Sequence, residues 1–324
     1  RYGGRMSSVV DVKTREGDFN KYHGLFSIGL LDGRLQFEGP IWKDRTSFNI
    51  GLRRSWIDVL AEPICLVISA LEESKFRVKY AFWDLNANVT HKFSDSNRLA
   101  LNLYGGRDAA KLIAGNDRQP SDDYSSKYMT RWGLEWGNFV ASLDWDYKFA
   151  PNHETSLKAY YTLYDSLFGL YDEGQTISRD IDDYTLLRDE EYYNSTGNKS
   201  RTSDLGLKAD FSFRPVENHH LRYGATLKYH FYNPVSYSVK NDKLNGETIF
   251  EEDKSQSAPR QSFESALYIE DEMQLTDWFT ANVGLRYSAI ATERKWYHSI
   301  EPRAALRFQC GDYADLKGSY SGMS

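Results

Sequence analysis

The sequence predicts an all-β protein, a transmembrane antiparallel β-barrel, and two patterns along the chain support this prediction. The first is alternation with a period of two: in 205–213 every odd-numbered residue is apolar and every even-numbered residue is polar or glycine. Such a period places apolar side chains on one face of a strand and polar side chains on the other. The second is that short connections alternate with long polar ones, as in outer-membrane barrels, which have short periplasmic turns and long extracellular loops.

The alternation recurs along almost the whole chain. We expect about thirteen strands between Lys21 and the C-terminus. The clearest of these strands, in chain order, are 139–149, 157–163, 205–213, 221–231, 279–287 and 300–308.

The predicted connections fall into two classes. The short ones are 43–45, 94–97, 151–153, 215–219, 275–278 and 311–313, and the long polar ones are 59–75, 113–129, 169–200 and 234–261. A strand needs only about ten residues to cross the apolar layer of an outer membrane. Segment 128–149 is longer than that, so its upper half is expected to project beyond the membrane. The apolar phase slips at Gly137 and Asn138, which predicts a β-bulge there.

Composition restricts the class of protein further. Aromatic residues make up 15% of the 324 residues, 27% are charged, and the mean hydropathy is −0.63. These values argue against a disordered chain, which is poor in aromatics, and against a helical membrane protein, which is strongly apolar. A soluble β-sandwich remains an alternative at this point.

Aromatic residues lie near the predicted strand ends, where the interfacial girdle of a membrane barrel would need them. They are Phe93, Phe149, Phe213, Trp278 and Phe279 at the rim with short turns, and Tyr164, Phe231 and Tyr287 towards the other rim. Asp271 interrupts the apolar face of its strand, so we expect it near an interface, where a carboxylate costs less.

No motif in the sequence predicts catalysis, a cofactor or a metal centre. Asp144 and Asp146 share the polar face of one strand, a spacing that could serve acid–base chemistry but that we interpret as a solvated wall. His219 and His220 lie at a turn without a third ligand nearby. The formal net charge is −6 without a basic run, so no nucleic-acid partner is expected.

The longest predicted loop, 169–200, holds the candidate binding residues. It is acidic and aromatic, and binding residues are commonly displayed on loops held by a rigid scaffold. The substrate-binding candidates are Tyr171, Asp182, Tyr184, Tyr192 and Tyr193. Such side chains could stack on sugar rings or attract a cationic siderophore or metal complex.

Six segments carry a resemblance to a known family. The opening 1–15, with Gly3 and Gly4 before an apolar strand that ends in a basic residue, resembles the last plug strand of TonB-dependent outer-membrane receptors. Segments 37–41 and 46–58 resemble the second and third barrel strands of the receptor subgroup that carries a carboxypeptidase-like regulatory domain. Later segments, 268–272, 281–287 and 301–304, are similar to recurrent barrel strands of the same group.

The resemblance implies a portion of a 22-stranded plugged barrel. Residues 1–20 would be the end of the plug domain and a linker, and residues 21–324 the N-terminal part of the transmembrane β-barrel, with about thirteen strands. At roughly 25 residues per strand, 22 strands need about 540 residues, so the chain is expected to be a piece of a longer receptor. Charges on the inner face would contact the plug: Lys208, Asp210, Arg286, Arg303 and Arg307.

The function implied by the resemblance is active transport of a nutrient across the outer membrane of a Gram-negative bacterium. The nutrient could be a siderophore, a metal complex, a glycan or a peptide. The implied partners are the TonB energising system, outer-membrane lipid, the extracellular ligand and a surface lipoprotein that acts as a lid. The alternative is a passive porin-like barrel, or a structural or adhesive one.

Overall fold

The computed structural model describes residues 13–311 and 314–322, and these form one antiparallel sheet and one helix. The elements, in chain order, are β1 His23–Ile28, β2 Asp32–Trp42, β3 Thr46–Ser55, α1 Ile57–Leu71, β4 Lys75–Ser94, β5 Asn97–Ser121, β6 Tyr124–Ala150, β7 His153–Arg179, β8 Leu186–Phe213, β9 His219–Leu244, β10 Glu247–Ser257, β11 Arg260–Thr276, β12 Phe279–Thr292, β13 Trp296–Gln309 and β14 Asp315–Ser321.

Each strand pairs with the next one along the chain, except around β10. Strand β9 pairs directly with β11, and β10 pairs only with the upper part of β9. Within the described residues the continuous path therefore holds thirteen strands, the predicted number, and β1 does not pair with β14. The result is a single open wall rather than the two packed sheets of a sandwich.

The central strands are much longer than a membrane crossing requires. Strands β6, β7 and β8 have 27, 27 and 28 residues, whereas about ten suffice to cross the apolar layer. Segment 128–149 is continuous strand, since β6 runs from Tyr124 to Ala150 without interruption; that its upper half projects beyond the membrane stays a prediction.

The four predicted long loops are wrong, because regular structure occupies them. Segment 59–75 lies largely in α1, and segment 113–129 is a hairpin of β5 and β6. Segment 169–200 is the paired upper arms of β7 and β8, joined at 180–185. Segment 234–261 holds the end of β9 and all of β10.

The two faces of the wall are defined here by residues on neighbouring strands. The inner face carries Asn88 opposite Asn102, and the outer face carries Val89 opposite Leu101 and Leu101 opposite Leu143. Outer-face side chains are apolar and exposed; Leu205, for example, has 58% of its surface exposed. A wall of exposed leucines is stable where it faces lipid.

The polarity of both faces inverts above this apolar band. On the outer face of β4, the apolar row ends at Trp83, and Lys79, Arg77 and Lys75 follow. On the inner face of β6, the polar row gives way to Trp136 and its neighbours. The predicted bulge at Gly137 and Asn138 is wrong, since the register of β6 with β5 and with β7 continues through both residues. The phase slip in the sequence marks this inversion instead.

Helix α1 covers an unpaired edge of the sheet. Strand β3 ends at Ser55, so the upper part of β4 has no partner on that side. The backbone N–H groups there donate to side chains: Val78 to Cys65 Sγ at 3.3 Å and Phe76 to Ser69 Oγ at 3.0 Å. Side chains thus satisfy backbone groups that would otherwise remain open to another strand. In the described part of the chain, no helix is long and apolar enough to cross a membrane.

Aromatic side chains cluster at the rim with the short turns. Phe279 stacks on Phe308 with ring centroids 4.5 Å apart, and Tyr147 meets Phe149 edge-on at 4.7 Å. Tyr164, predicted for the opposite girdle, instead lies on the inner face, because it pairs with Asn138 on that side of the sheet. Asp271 sits on the outer face and bonds to His219 at 2.7 Å, the first residue of β9 beside a short turn.

Candidate functional site

A polar network crosses the inner face in its lower half. Asn88 donates to Asn102 Oδ1 at 2.7 Å, Asn102 donates to Asp144 at 2.6 Å, and Lys158 pairs with Asp144 at 2.9 Å. These residues lie on β4, β5, β6 and β7, so one chain of hydrogen bonds joins four strands. The network cross-links four neighbouring strands through their inner-face side chains.

The segment that precedes β1 lies against this wall. Thr14 bonds to Asn102, Glu16 pairs with Arg98, and Arg15 pairs with Glu38 at 2.7 Å. Glu38 is 4% exposed, whereas the Arg15 side chain is 72% exposed, so this pair is only half shielded from water. The earlier part of the predicted plug segment, 1–12, lies outside the described residues.

The charges predicted for the inner face do lie there. Lys208 pairs with Asp210 at 2.8 Å, and Tyr268 donates to the same carboxylate. Further along, Arg303 pairs with Glu301 at 2.9 Å, and Arg286 directly opposes Glu301 in the ladder. Arg307, the last predicted charge, pairs with Asp315 at 2.8 Å.

The geometry does not assemble an acid–base pair. Asp144 bonds to Asn102 and Lys158, whereas Asp146 lies 3.7 Å from Arg98, so the two carboxylates have separate partners. His219 bonds to Asp271, and His220 bonds to Ser212. Over residues 13–311 and 314–322, no three His, Cys, Asp or Glu side chains group as metal ligands would.

The predicted binding residues do not form one site. Tyr171 and Tyr193 lie on the outer face, where the Tyr171 hydroxyl bonds to that of Tyr237 at 3.0 Å. Tyr192 lies on the inner face opposite Gly174, and its ring occupies the space that a Cβ at Gly174 would need. Asp182 and Tyr184 occupy the exposed tip between β7 and β8.

The tip is held by its own backbone contacts. The Asp183 carboxylate accepts hydrogen bonds from the backbone N–H of Thr185 at 3.0 Å and from its hydroxyl at 2.7 Å. Both bonds favour the charged carboxylate and hold the pKa of Asp183 below its usual range. Tyr184 has φ 57, the left-handed conformation that completes this tight turn.

A groove of about 440 Å³ lies beside two of the candidates. Its lining includes Tyr192 and Tyr193 together with Lys127, Glu191 and Lys243. The groove therefore mixes both charges with aromatic surface. It opens on the upper, hairpin part of the wall, above the apolar band.

An aromatic wall lies on the inner face above the polar network, and sequence reasoning missed it. The name denotes Trp132, Leu134 and Trp136 of β6 with Phe168 and Leu170 of β7. Trp132 meets Phe168 edge-on at 6.1 Å. The signal was present in the sequence, since Trp132, Leu134 and Trp136 keep a period of two, but their positions fell next to a predicted bulge.

An antiparallel strand wall with an apolar outer face and a polar inner face is characteristic of outer-membrane β-barrels. The fold therefore places this chain in that class of protein. The family model "TonB dependent receptor-like, beta-barrel" matches residues 80–322. The chain therefore belongs to the TonB-dependent receptor-like β-barrel family and resides in the outer membrane. This result removes the soluble sandwich from consideration.

Comparison with solved structures gives distant similarities. The toluene transporter TbuX of Ralstonia pickettii is 10% identical, with 89% of this chain and 75% of that chain covered and a TM-score of 0.31. The ferric-catecholate import receptor Fiu of E. coli K12 is 9% identical, with 90% and 63% covered and a TM-score of 0.24. The outer-membrane protease OmpT of Escherichia coli is 10% identical, with 85% and 80% covered and a TM-score of 0.23.

At these TM-scores the similarity does not bear on what this chain binds. The chain spans less than two thirds of the length of Fiu. No curated protein matches the sequence.

Proposed function

We propose that this chain forms part of the barrel of a TonB-dependent transporter that takes up a nutrient actively across the outer membrane. The observation that carries the proposal is the family match over 80–322, which covers the strands that build the polar inner wall. In this proposal the inner wall holds the plug and the upper wall meets the ligand.

The plug assignment is supported by the contacts of the segment before β1. Residues 1–20 would be the end of the plug and a linker. Their described part pairs with Glu38, Arg98 and Asn102 on the inner face. A segment held there by ion pairs can be released when it is pulled, because each pair is partly exposed and individually weak. The energising partner would be the TonB system.

The ligand would meet aromatic surface at the mouth. The aromatic wall and Tyr192 share the inner face, so a molecule that enters the barrel passes them. Aromatic rings stack on flat or apolar faces and contribute affinity with little loss of side-chain entropy. A siderophore, a metal complex, a glycan or a peptide would all offer such faces, and a lipoprotein lid could close over the upper hairpins. The subgroup with a carboxypeptidase-like regulatory domain belongs to the same proposal.

The test is uptake by the native bacterium on a panel of single nutrients: ferric siderophores, metal complexes, glycans and peptides. We expect one nutrient whose uptake is lost when this gene is deleted and also when the TonB partner is deleted. Uptake that requires this gene but survives loss of TonB would contradict active transport and indicate a passive barrel.

A double variant tests whether the aromatic wall contributes to this uptake. Trp136→Ala with Trp132→Ala is expected to reduce uptake of that nutrient, since it removes two rings from the inner face. Trp296→Ala, a change of the same residue type at a position 77% exposed on the outer face, is the matched control.

A further inference from the structure

The outer face changes from apolar to charged at a defined height. On β4 the outer-face row from Phe93, beside a short turn, to Trp83 is apolar except for His91. Ten residues span about 34 Å along a strand, which at a tilt of about 40° is about 26 Å across the membrane. This equals the height of about 25 Å for the apolar band of an outer-membrane barrel. The side chains directly above Trp83 therefore lie at the level of the lipid headgroups.

Cations concentrate at this level on the outer face of β4, β5 and β6. We name the group the basic patch; it consists of Lys75, Arg77, Lys79, Arg107, Lys111 and Arg131. Short turns mark the opposite rim, so the patch faces the outer leaflet. Trp83 lies directly opposite Arg107 in the ladder and is 45% exposed, as expected for an interfacial aromatic.

Two lysines in the patch directly oppose one another. Lys79 and Lys111 are register partners in the ladder of β4 and β5. Side chains at such positions have Cβ atoms about 5 Å apart, and like charges there are destabilising. An anion between the two ammonium groups would reverse the sign of this interaction.

Carboxylates neutralise only part of the patch. Glu135 pairs with Arg107 at 2.6 Å and with Lys111 at 2.9 Å, and Glu173 pairs with Arg131 at 2.8 Å. Among the described residues, no carboxylate lies within ion-pair distance of Lys79. Arg77 pairs with Glu62 of α1 at 2.9 Å. Six cations thus have three carboxylate partners, so the patch carries net positive charge.

The surface between these cations has room for a headgroup. The residue opposite Lys111 on β6 is Gly133, and a Cβ there would meet nothing within 4 Å. Ala81 and Ala109 oppose one another between the lysine pair and Trp83. The long basic side chains therefore surround a flat area of small residues.

From this arrangement we propose that the basic patch binds the phosphate groups of the anionic glycolipid in the outer leaflet. Lys79 and Lys111 hold one phosphate between them, with Arg107 beside it, while the acyl chains lie along the apolar band below Trp83. The function of the patch is to fix the height of the barrel and to anchor the edge that α1 covers. It is independent of the transport proposal, because it needs only the outer-membrane location.

The test uses the full-length receptor, purified in detergent and freed of lipid. The probe is a bisphosphorylated glycolipid, titrated while bound lipid is counted by native mass spectrometry. Each basic residue near an anionic lipid surface contributes about 1 kcal/mol, or about fivefold in affinity. Lys79→Gln with Lys111→Gln is therefore expected to weaken binding about 30-fold.

The matched control is Lys240→Gln with Lys254→Gln, which removes two exposed lysines from the β9–β10 hairpin. This variant is expected to bind the glycolipid as the unmodified protein does. Equal weakening in both double variants would overturn the proposal, because it would reduce the effect to net charge.

Two further probes separate lipid from free anion. The dephosphorylated glycolipid is expected to bind no better to the unmodified protein than to Lys79→Gln with Lys111→Gln. Inorganic phosphate at the same concentration is expected to leave glycolipid binding unchanged. Tight binding of the dephosphorylated lipid, or full competition by inorganic phosphate, would overturn the assignment of a lipid phosphate site.

Discussion

At the scale of single residues, Glu301 shows how a buried charge on the inner face is stabilised. Its side chain is 1% exposed, accepts a bond from Ser288 at 2.9 Å and pairs with Arg303 at 2.9 Å. Arg286, 7% exposed, opposes it in the ladder. The buried carboxylate gives both guanidinium groups an opposite charge at short range.

We predict that Glu301→Ala lowers the free energy of unfolding by about 3–5 kcal/mol, because it removes the carboxylate shared by two buried or half-buried cations. The measurement is the heat-induced mobility shift of the full-length barrel on gels, with Glu293→Ala as an exposed control in the turn after β12. A Glu301→Ala protein as stable as this control would contradict the account of the cluster.

The turn at the tip between β7 and β8 is expected to depend on pH through the Asp183 carboxylate. The pKa of Asp183 lies below its usual range because the charged carboxylate accepts bonds from Thr185. Since the folded pKa is lowered, the stabilisation of the turn is present above the ordinary aspartate pKa and is lost as the pH falls through the lower, folded value.

We therefore expect the turn to stay ordered through the ordinary aspartate range, near pH 4, and to loosen only below it. Fluorine NMR of fluorotyrosine incorporated at Tyr184 reports this transition. In Asp183→Asn the signal should already be that of a loosened turn at neutral pH, whereas Asp182→Asn should behave as the unmodified protein. If Asp182→Asn rather than Asp183→Asn changed the pH at which the turn loosens, the assignment of the transition to Asp183 would be wrong.

At the scale of elements, α1 has a protective role at the exposed edge of β4. Ser69 accepts from the N–H of Phe76 at 3.0 Å and donates to its carbonyl at 3.1 Å. We predict that Ser69→Ala leaves the N–H of Phe76 without its acceptor, while the carbonyl keeps its bond from Arg77 at 2.9 Å. The loss costs about 1–2 kcal/mol locally and speeds amide exchange at the start of β4. Hydrogen exchange read by mass spectrometry measures this, with Ser74→Ala as control; equal exchange in both variants would contradict the role of α1.

The polarity inversion gives a prediction for two tryptophans. Trp83 ends the outer apolar band, whereas Trp136 lies on the inner face above it. We expect Trp83→Phe to remove fluorescence that brominated lipids quench, and Trp136→Phe to remove fluorescence that aqueous iodide quenches. If the bulge existed, Trp136 would move to the outer face and the lipid-quenched fraction would fall in both variants.

The elements also delimit what the sequence could predict. Period-two alternation located the strands near the short turns, because there the apolar face meets lipid throughout. Above the apolar band the outer face becomes polar and the inner face apolar, while the strand register continues. The alternation pattern therefore predicts strands β5 to β9 that are shorter than those in the structure. Asn245-Gly246, with φ 51 and 82, is a two-residue hairpin turn that the sequence does signal, inside a segment predicted as a loop.

The candidate site was predictable only in part, for the same reason. Polar inner-face residues such as Lys208 and Arg303 follow from alternation, and the structure places them there. Which face of the sheet each side chain in 169–200 occupies depends on the strand register. A segment predicted as a loop has no register, so its side chains could not be assigned to a face. Tyr171 and Tyr192 therefore fell on opposite faces.

At the scale of the whole molecule, the described residues form one section of the wall of an outer-membrane β-barrel. Its lower half has a lipid-facing band and a polar inner wall that meets the segment before β1. Its upper half projects paired hairpins with aromatic residues inside and charges outside. In the transporter proposed above, a plugged barrel of 22 strands, this wall would hold the plug below and the ligand above.

The most direct measurement is the intact mass of the native polypeptide that carries this sequence, extracted from an outer-membrane fraction. The account predicts a mass far above 37.4 kDa, enough for about 22 strands and a plug. A polypeptide near 37.4 kDa in that fraction would contradict the plugged transporter and leave a small passive barrel.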